Sequence, residues 1–86
     1  MYSLRLSRHA IKDLDDLPDT IGQRTSAALE ALAKSPRPPG CKRIKGAEDT
    51  YRIRVGDYRI LYDVDDGESM VLILRVQHRK DAYRSL

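Results

Sequence analysis

The chain has 86 residues, of which 34% are charged, with a net charge of +3, and that length makes one small domain with a limited core. No run is apolar enough to span a bilayer, Arg5 and Arg8 interrupt any secretory h-region, and a lone Cys41 excludes an internal disulfide or a cysteine-based zinc site. The expectation is a cytoplasmic domain over residues 1–86, with no cofactor, metal or membrane attachment.

Residues 2–6, Tyr-Ser-Leu-Arg-Leu, alternate as a short strand. Ser7 is a good N-cap for a helix over 8–17, with Ala10, Ile11, Leu14 and Leu17 at helical spacing. Pro18 interrupts, and Asp19 favours the positive end of a second helix over 19–34, striped by Ile21, Thr25, Ala28, Leu29 and Leu32. Asp13, Asp15, Asp16 and Asp19 are read as a solvated helix face rather than a metal site. Ser-Pro-Arg-Pro-Pro-Gly at 35–40 cannot continue a helix. A basic connector over 41–46, carrying Lys42, Arg43 and Lys45, then leads into three strands near 50–55, 58–65 and 69–77.

Gly56-Asp57 suits a two-residue type II′ hairpin turn. That turn sets Val55 against Tyr58, Arg54 against Arg59, Ile53 against Ile60 and Arg52 against Leu61. Arg52, Arg54 and Arg59 then project from one face, where like charges in direct opposition destabilise the pair. A bound polyanion accounts for placing them there. Asp66-Gly67 reads as a second two-residue turn, which would set Arg59 against Leu74 and bring His78 to the arginine side. The third strand is apolar on both faces at Val71, Leu72, Ile73 and Leu74, which suits a position inside the sheet. The fold class is α+β: a small antiparallel β-sheet with the helical hairpin packed on its Tyr51, Ile53, Ile60 and Tyr62 side. The N-terminal strand is expected beside the last one.

The exposed constellation is Arg52, Arg54, Arg59, His78, Arg79 and Tyr83, ringed by Lys42, Arg43, Lys45 and Lys80. Arginine presents a planar fork that matches phosphate oxygens two at a time. A tyrosine at the rim can stack on an unpaired base, and a histidine can exchange protons near neutral pH. That set suits cleavage of RNA by attack of a 2′-hydroxyl on its own phosphate. Taken one at a time, each arginine reads as solvated surface and His78 as a strand-end polar residue. Leu61, Leu72, Leu74 and Val76 add an apolar strip for a protein partner.

Ser35-Pro36, Lys-Arg-Ile-Lys-Gly at 42–46, Tyr-Arg-Ile-Arg at 51–54, Gly-Asp-Tyr-Arg-Ile-Leu-Tyr at 56–62 and His-Arg-Lys-Asp-Ala-Tyr at 78–83 together resemble the RelE/ParE toxin superfamily. The resemblance implies a toxin of a type II toxin–antitoxin system, neutralised by a cognate antitoxin. RelE-type members cut mRNA in the ribosomal A site, so it also implies the ribosome and mRNA as partners. It assigns Arg59 to the scissile phosphate, Arg79 to the leaving group and Tyr83 to base orientation. Arg52 and Arg54 stand where the best-known RelE has lysines. Arginine is a poor general base, which leaves His78 or solvent to take the proton. The alternatives are a ParE-like DNA gyrase inhibitor and an inactive toxin kept as an antitoxin-binding, autoregulatory subunit.

Overall fold

The computed structural model describes residues 1–80. Its elements are β1 (Ser3–Leu6), α1 (Arg8–Asp15), α2 (Asp19–Lys34), β2 (Lys42–Arg43), β3 (Thr50–Val55), β4 (Tyr58–Asp65) and β5 (Met70–His78). The five strands lie in the order β1-β5-β4-β3-β2. β5 sits inside the sheet, as its two apolar faces require, and β1 lies beside it. The sheet is mixed rather than wholly antiparallel, because β1 runs parallel to β5. A tight hairpin forces antiparallel neighbours, whereas the connection from β1 to β5 runs through both helices and three strands and is long enough for a parallel pair.

The helices cover the face that carries Tyr51, Val55, Ile60, Tyr62, Val64, Val71, Ile73 and Val76, all buried against Ala10, Leu29 and Leu32. Tyr51 and Tyr62 stack at 5.9 Å between ring centroids. The Tyr62 hydroxyl donates to the Pro36 carbonyl at 2.7 Å. That bond satisfies a polar tip in the core, and burial, with the Cys41 thiol adding to it, pushes the phenol pKa well up.

The first hairpin has the expected register throughout, from Arg52↔Leu61 to Val55↔Tyr58. Gly56 carries the positive φ of 59° that the first turn position needs, and Asp57 does not, which is the type II′ pattern. The second hairpin departs from expectation. Asp65 pairs with Met70, so its loop holds four residues, Asp66, Gly67, Glu68 and Ser69, and ends on Ser69 at φ 51°. A β-bulge follows: Tyr62 pairs with Ile73 but Leu61 pairs with Arg75, leaving Leu74 as the extra residue. One extra residue reverses the alternation beyond it. Val76 therefore turns into the core instead of joining an exposed apolar strip, and Arg59 faces Gln77 rather than Leu74.

α1 secures the bulge. Ser7 accepts from the Ala10 N–H at 3.0 Å as the N-cap, and its hydroxyl donates to the Leu74 carbonyl at 2.8 Å. Further along the helix, Asp13 takes the Val76 N–H at 2.9 Å and the Arg75 guanidinium at 2.8 and 3.2 Å. Past the end of β1 this edge of β5 would otherwise offer an unpaired donor. Asp13 thus belongs to the packing and not to a solvated face; its side chain is only 17% exposed.

Candidate nucleic-acid interface

The register places Arg52, Arg54 and Arg59 on the sheet face away from the helices. β2 adds Lys42, which pairs with Arg52 and so points the same way. The cations are not equally accessible: Arg54 is exposed, Arg52 half-buried, and Arg59 retains only 9% of its accessible surface. Arg59 is the second residue of β4, paired with Arg54 on one side and the buried Gln77 on the other, so the ladder on both sides fixes the direction in which its side chain leaves the sheet. Arg79 comes in at the strand ends. Its N–H donates to the Asp57 carbonyl at 2.8 Å, and it shares a small recess of about 30 Å³ with Arg54, Tyr58 and Arg59.

A larger groove of about 540 Å³ runs between these cations and the proline segment, lined by Pro38, Pro39, Gly40, Lys42, Arg52, Ile53, Arg54 and Arg59. The sequence explains why it is open. The basic connector pairs with β3 only at Lys42↔Arg52 and Arg43↔Tyr51. Two residues further, the ladder would set Gly40 against Arg54. Prolines cannot extend a ladder; Cys41 N–H closes a turn onto Pro38 O at 3.1 Å, and Gly40 takes a φ of +91° that carries the chain away. The β3 edge beyond Arg52 is left facing the groove. Ile53, expected in the core, is only half-buried there.

The proline wall is anchored from behind. Arg37 donates to the Tyr51 hydroxyl at 3.0 Å, lies 5.2 Å from that ring's centroid, and forks onto Asp66 at 2.9 and 3.2 Å. Tyr2 donates to the same carboxylate at 2.7 Å. Arg37, then Tyr2, hold the Asp66 carboxyl below the usual carboxylate range, and Arg37, then Arg43, lower the Tyr51 phenol. Nothing in the sequence patterning singled out Arg37. Its only signal is a long cation inside a proline run that must be fastened to something.

Among the residues expected at the site, Arg52, Arg54, Arg59, Arg79 and Lys42 come together. His78 does not join them. The bulge pairs it with Tyr58, on the helix side, where the rings meet edge-on at 5.1 Å and Nδ1 accepts from the Lys80 N–H at 3.3 Å. Arg43 pairs with Tyr51 and so also turns to the helix side. Lys45 and Lys80 are exposed and do not line the groove. Tyr83 lies outside the described residues.

A mixed sheet backed by a helical hairpin is a fold shared with known toxins. The family described as "ParE toxin of type II toxin-antitoxin system, parDE" matches residues 4–83. Toxin RelG of Mycobacterium tuberculosis is 37% identical over 84 residues, 96% of this chain and 97% of RelG. Two solved complexes share the fold. The toxin–antitoxin complex RelBE2 of the same organism matches at 34% identity and a TM-score of 0.80, covering 91% of this chain and 98% of that one. The archaeal RelE–RelB complex of Pyrococcus horikoshii OT3 matches at 28% and 0.81, covering 91% and 94%. The chain belongs to the RelE/ParE superfamily of type II toxins.

Proposed function

We propose that this toxin is a ribosome-dependent endoribonuclease that cuts mRNA in the cytoplasm and is held in check by a cognate antitoxin. The observation that carries the reading is the in-register Arg52, Arg54 and Arg59 row beside a groove of about 540 Å³. The relatives support it: those quoted carry RelE-type names, and two come from complexes of RelE with RelB. In the reaction, the 2′-oxygen bonds to the adjacent phosphorus, the P–O5′ bond breaks, and a 2′,3′-cyclic phosphate and a 5′-hydroxyl result. Arg59, preorganised by the sheet, clamps the phosphate as negative charge builds on it. Arg79 stabilises the departing 5′-oxygen. Arg52, Arg54 and Lys42 hold the flanking backbone, and Tyr83 orients the base.

No arginine serves as the proton acceptor, and His78 points away from the groove. The 2′-hydroxyl proton therefore passes to solvent, the departing 5′-oxygen takes its proton from solvent, and the arginines act by electrostatic stabilisation. The antitoxin is expected over the bare sheet face, where Leu61, Leu72 and Leu74 stay half-buried near the cations. Expression of the toxin with two readouts tests the proposal. Primer extension should reveal new 5′ ends within translated mRNA while gyrase supercoiling is unaffected. Inhibited supercoiling with intact mRNA would establish the ParE-like reading instead.

A further inference from the structure

We propose that the wall of Pro38, Pro39 and Gly40 is a nucleobase subsite, on which an unpaired RNA base packs while its phosphate lies on the arginines. The inference rests on the ribonucleic-acid reading above and specifies which part of the groove holds which part of the ligand. The two sides of the groove differ chemically. One presents the cations, and the other presents proline rings with no N–H donor and no charge. A phosphate gains nothing from that second side; the flat π-face of a base does. The volume of about 540 Å³ falls within the range of clefts that hold small ligands, roughly 300–1,000 Å³.

The wall is also preformed. Its near end is tied through the Tyr62 hydroxyl on Pro36 O and the Arg37 contacts, and its far end through the Lys42↔Arg52 pair. A site rigid before binding loses less entropy on binding. The ladder adds a means of reading the base. Arg52 exchanges bonds with β2, so Arg54, two residues on, turns its own N–H and C=O to the same side. No strand follows there, and this donor–acceptor pair faces the groove beside the wall. Pro38 and Pro39 supply a stacking surface, and the Arg54 main chain supplies polarity along the base edge.

A 2′-O-methyl RNA trinucleotide, which lacks the attacking hydroxyl, tests this on the intact chain. Its affinity is compared with versions made abasic at one position at a time, with amide chemical shifts followed at Gly40 and Ile53. Removing one particular base should weaken binding roughly fivefold, as expected for losing a few tens of Å² of apolar burial, and should abolish the shifts at both amides. Pro39→Ala, checked for an unchanged melting transition, should erase that difference while leaving affinity for the abasic strand as it was. Equal affinities, no detectable binding, or discrimination without shifts at Gly40 and Ile53 would overturn the proposal. The last result would assign the base to another surface. Because no bond is cut, these outcomes are independent of whether the wild type cleaves mRNA on ribosomes.

Discussion

The same side chain, arginine, stands in two kinds of surroundings in this molecule. Arg75 and Arg37 are matched to carboxylates: Arg75 to Asp13, docking α1 on the edge of β5, and Arg37 to Asp66, fastening the proline segment to the β4–β5 loop. Arg52 and Arg54 meet no carboxylate among the described residues and face a groove, with Arg59 buried beside them. An arginine facing an acid contributes to stability. An arginine directly opposite another, as Arg54 is to Arg59, adds a repulsion that such pairs normally avoid, and the proposed RNA phosphate is a ligand that would offset it.

Substitutions should separate the two groups. Arg59→Ala should lower cleavage of ribosome-bound mRNA by about 10²–10³, the usual loss for one preorganised donor to a transition state. Arg59→Lys should recover only part of it, since an ammonium cannot make a bidentate contact. Single-turnover rates on programmed ribosomes would measure both. Asp13→Ala should do the reverse. It strands the Val76 N–H and takes the carboxylate away from the Arg75 guanidinium, so chemical denaturation should show a loss of about 2 kcal/mol, with cleavage by the folded fraction kept.

The Arg37–Asp66 contact is exposed, and its effect should be smaller and pH-dependent. The folded-state pKa of Asp66 is lowered, by Arg37 first. Its stabilisation is therefore full above the ordinary carboxylate pKa, and it fades as the pH falls through the lowered value. Asp66→Asn should lower the melting temperature at neutral pH and flatten this acid-side decline; an unchanged decline would show that other carboxylates set it. The smallest effect belongs to His78. With its ring against Tyr58 on the helix side, His78→Ala should leave the cleavage rate and its pH profile within about twofold, far below the roughly 10²–10⁴ of a general base. A lost ionisation near neutrality would return His78 to the chemistry.

Local signals explain what the sequence made legible. Gly56-Asp57 determines its turn through the backbone freedom of one glycine, so the register and the arginine row follow from neighbours in the chain. Asp66-Gly67 carries an equally strong local signal, yet its loop is longer. Asp66 is held by Tyr2 and Arg37, and the bulge at Leu74 is held by Ser7, from 64, 29 and 67 residues away. No short-range pattern reports such contacts, and the bulge alone moved His78 and Val76 to the other face. Asp13 was misread for the same reason, its partners lying 62 and 63 residues along the chain. The groove was hidden because it depends on where a two-residue strand stops. The proline run was legible as a helix breaker, but not as the wall that the same stiffness makes of it.

The most direct test of the central claim is the fate of one hydroxyl. Ribosomes carrying an mRNA with an all-ribose A-site codon, or with a single 2′-deoxy nucleotide at the mapped cut, would be given the wild-type toxin and the new ends analysed. The all-ribose message should be cut to a 2′,3′-cyclic phosphate and a 5′-hydroxyl, and the other should stay intact at the deoxy position. An all-ribose message left intact by a toxin that still arrests growth, or equal cutting of both messages, would contradict the claim.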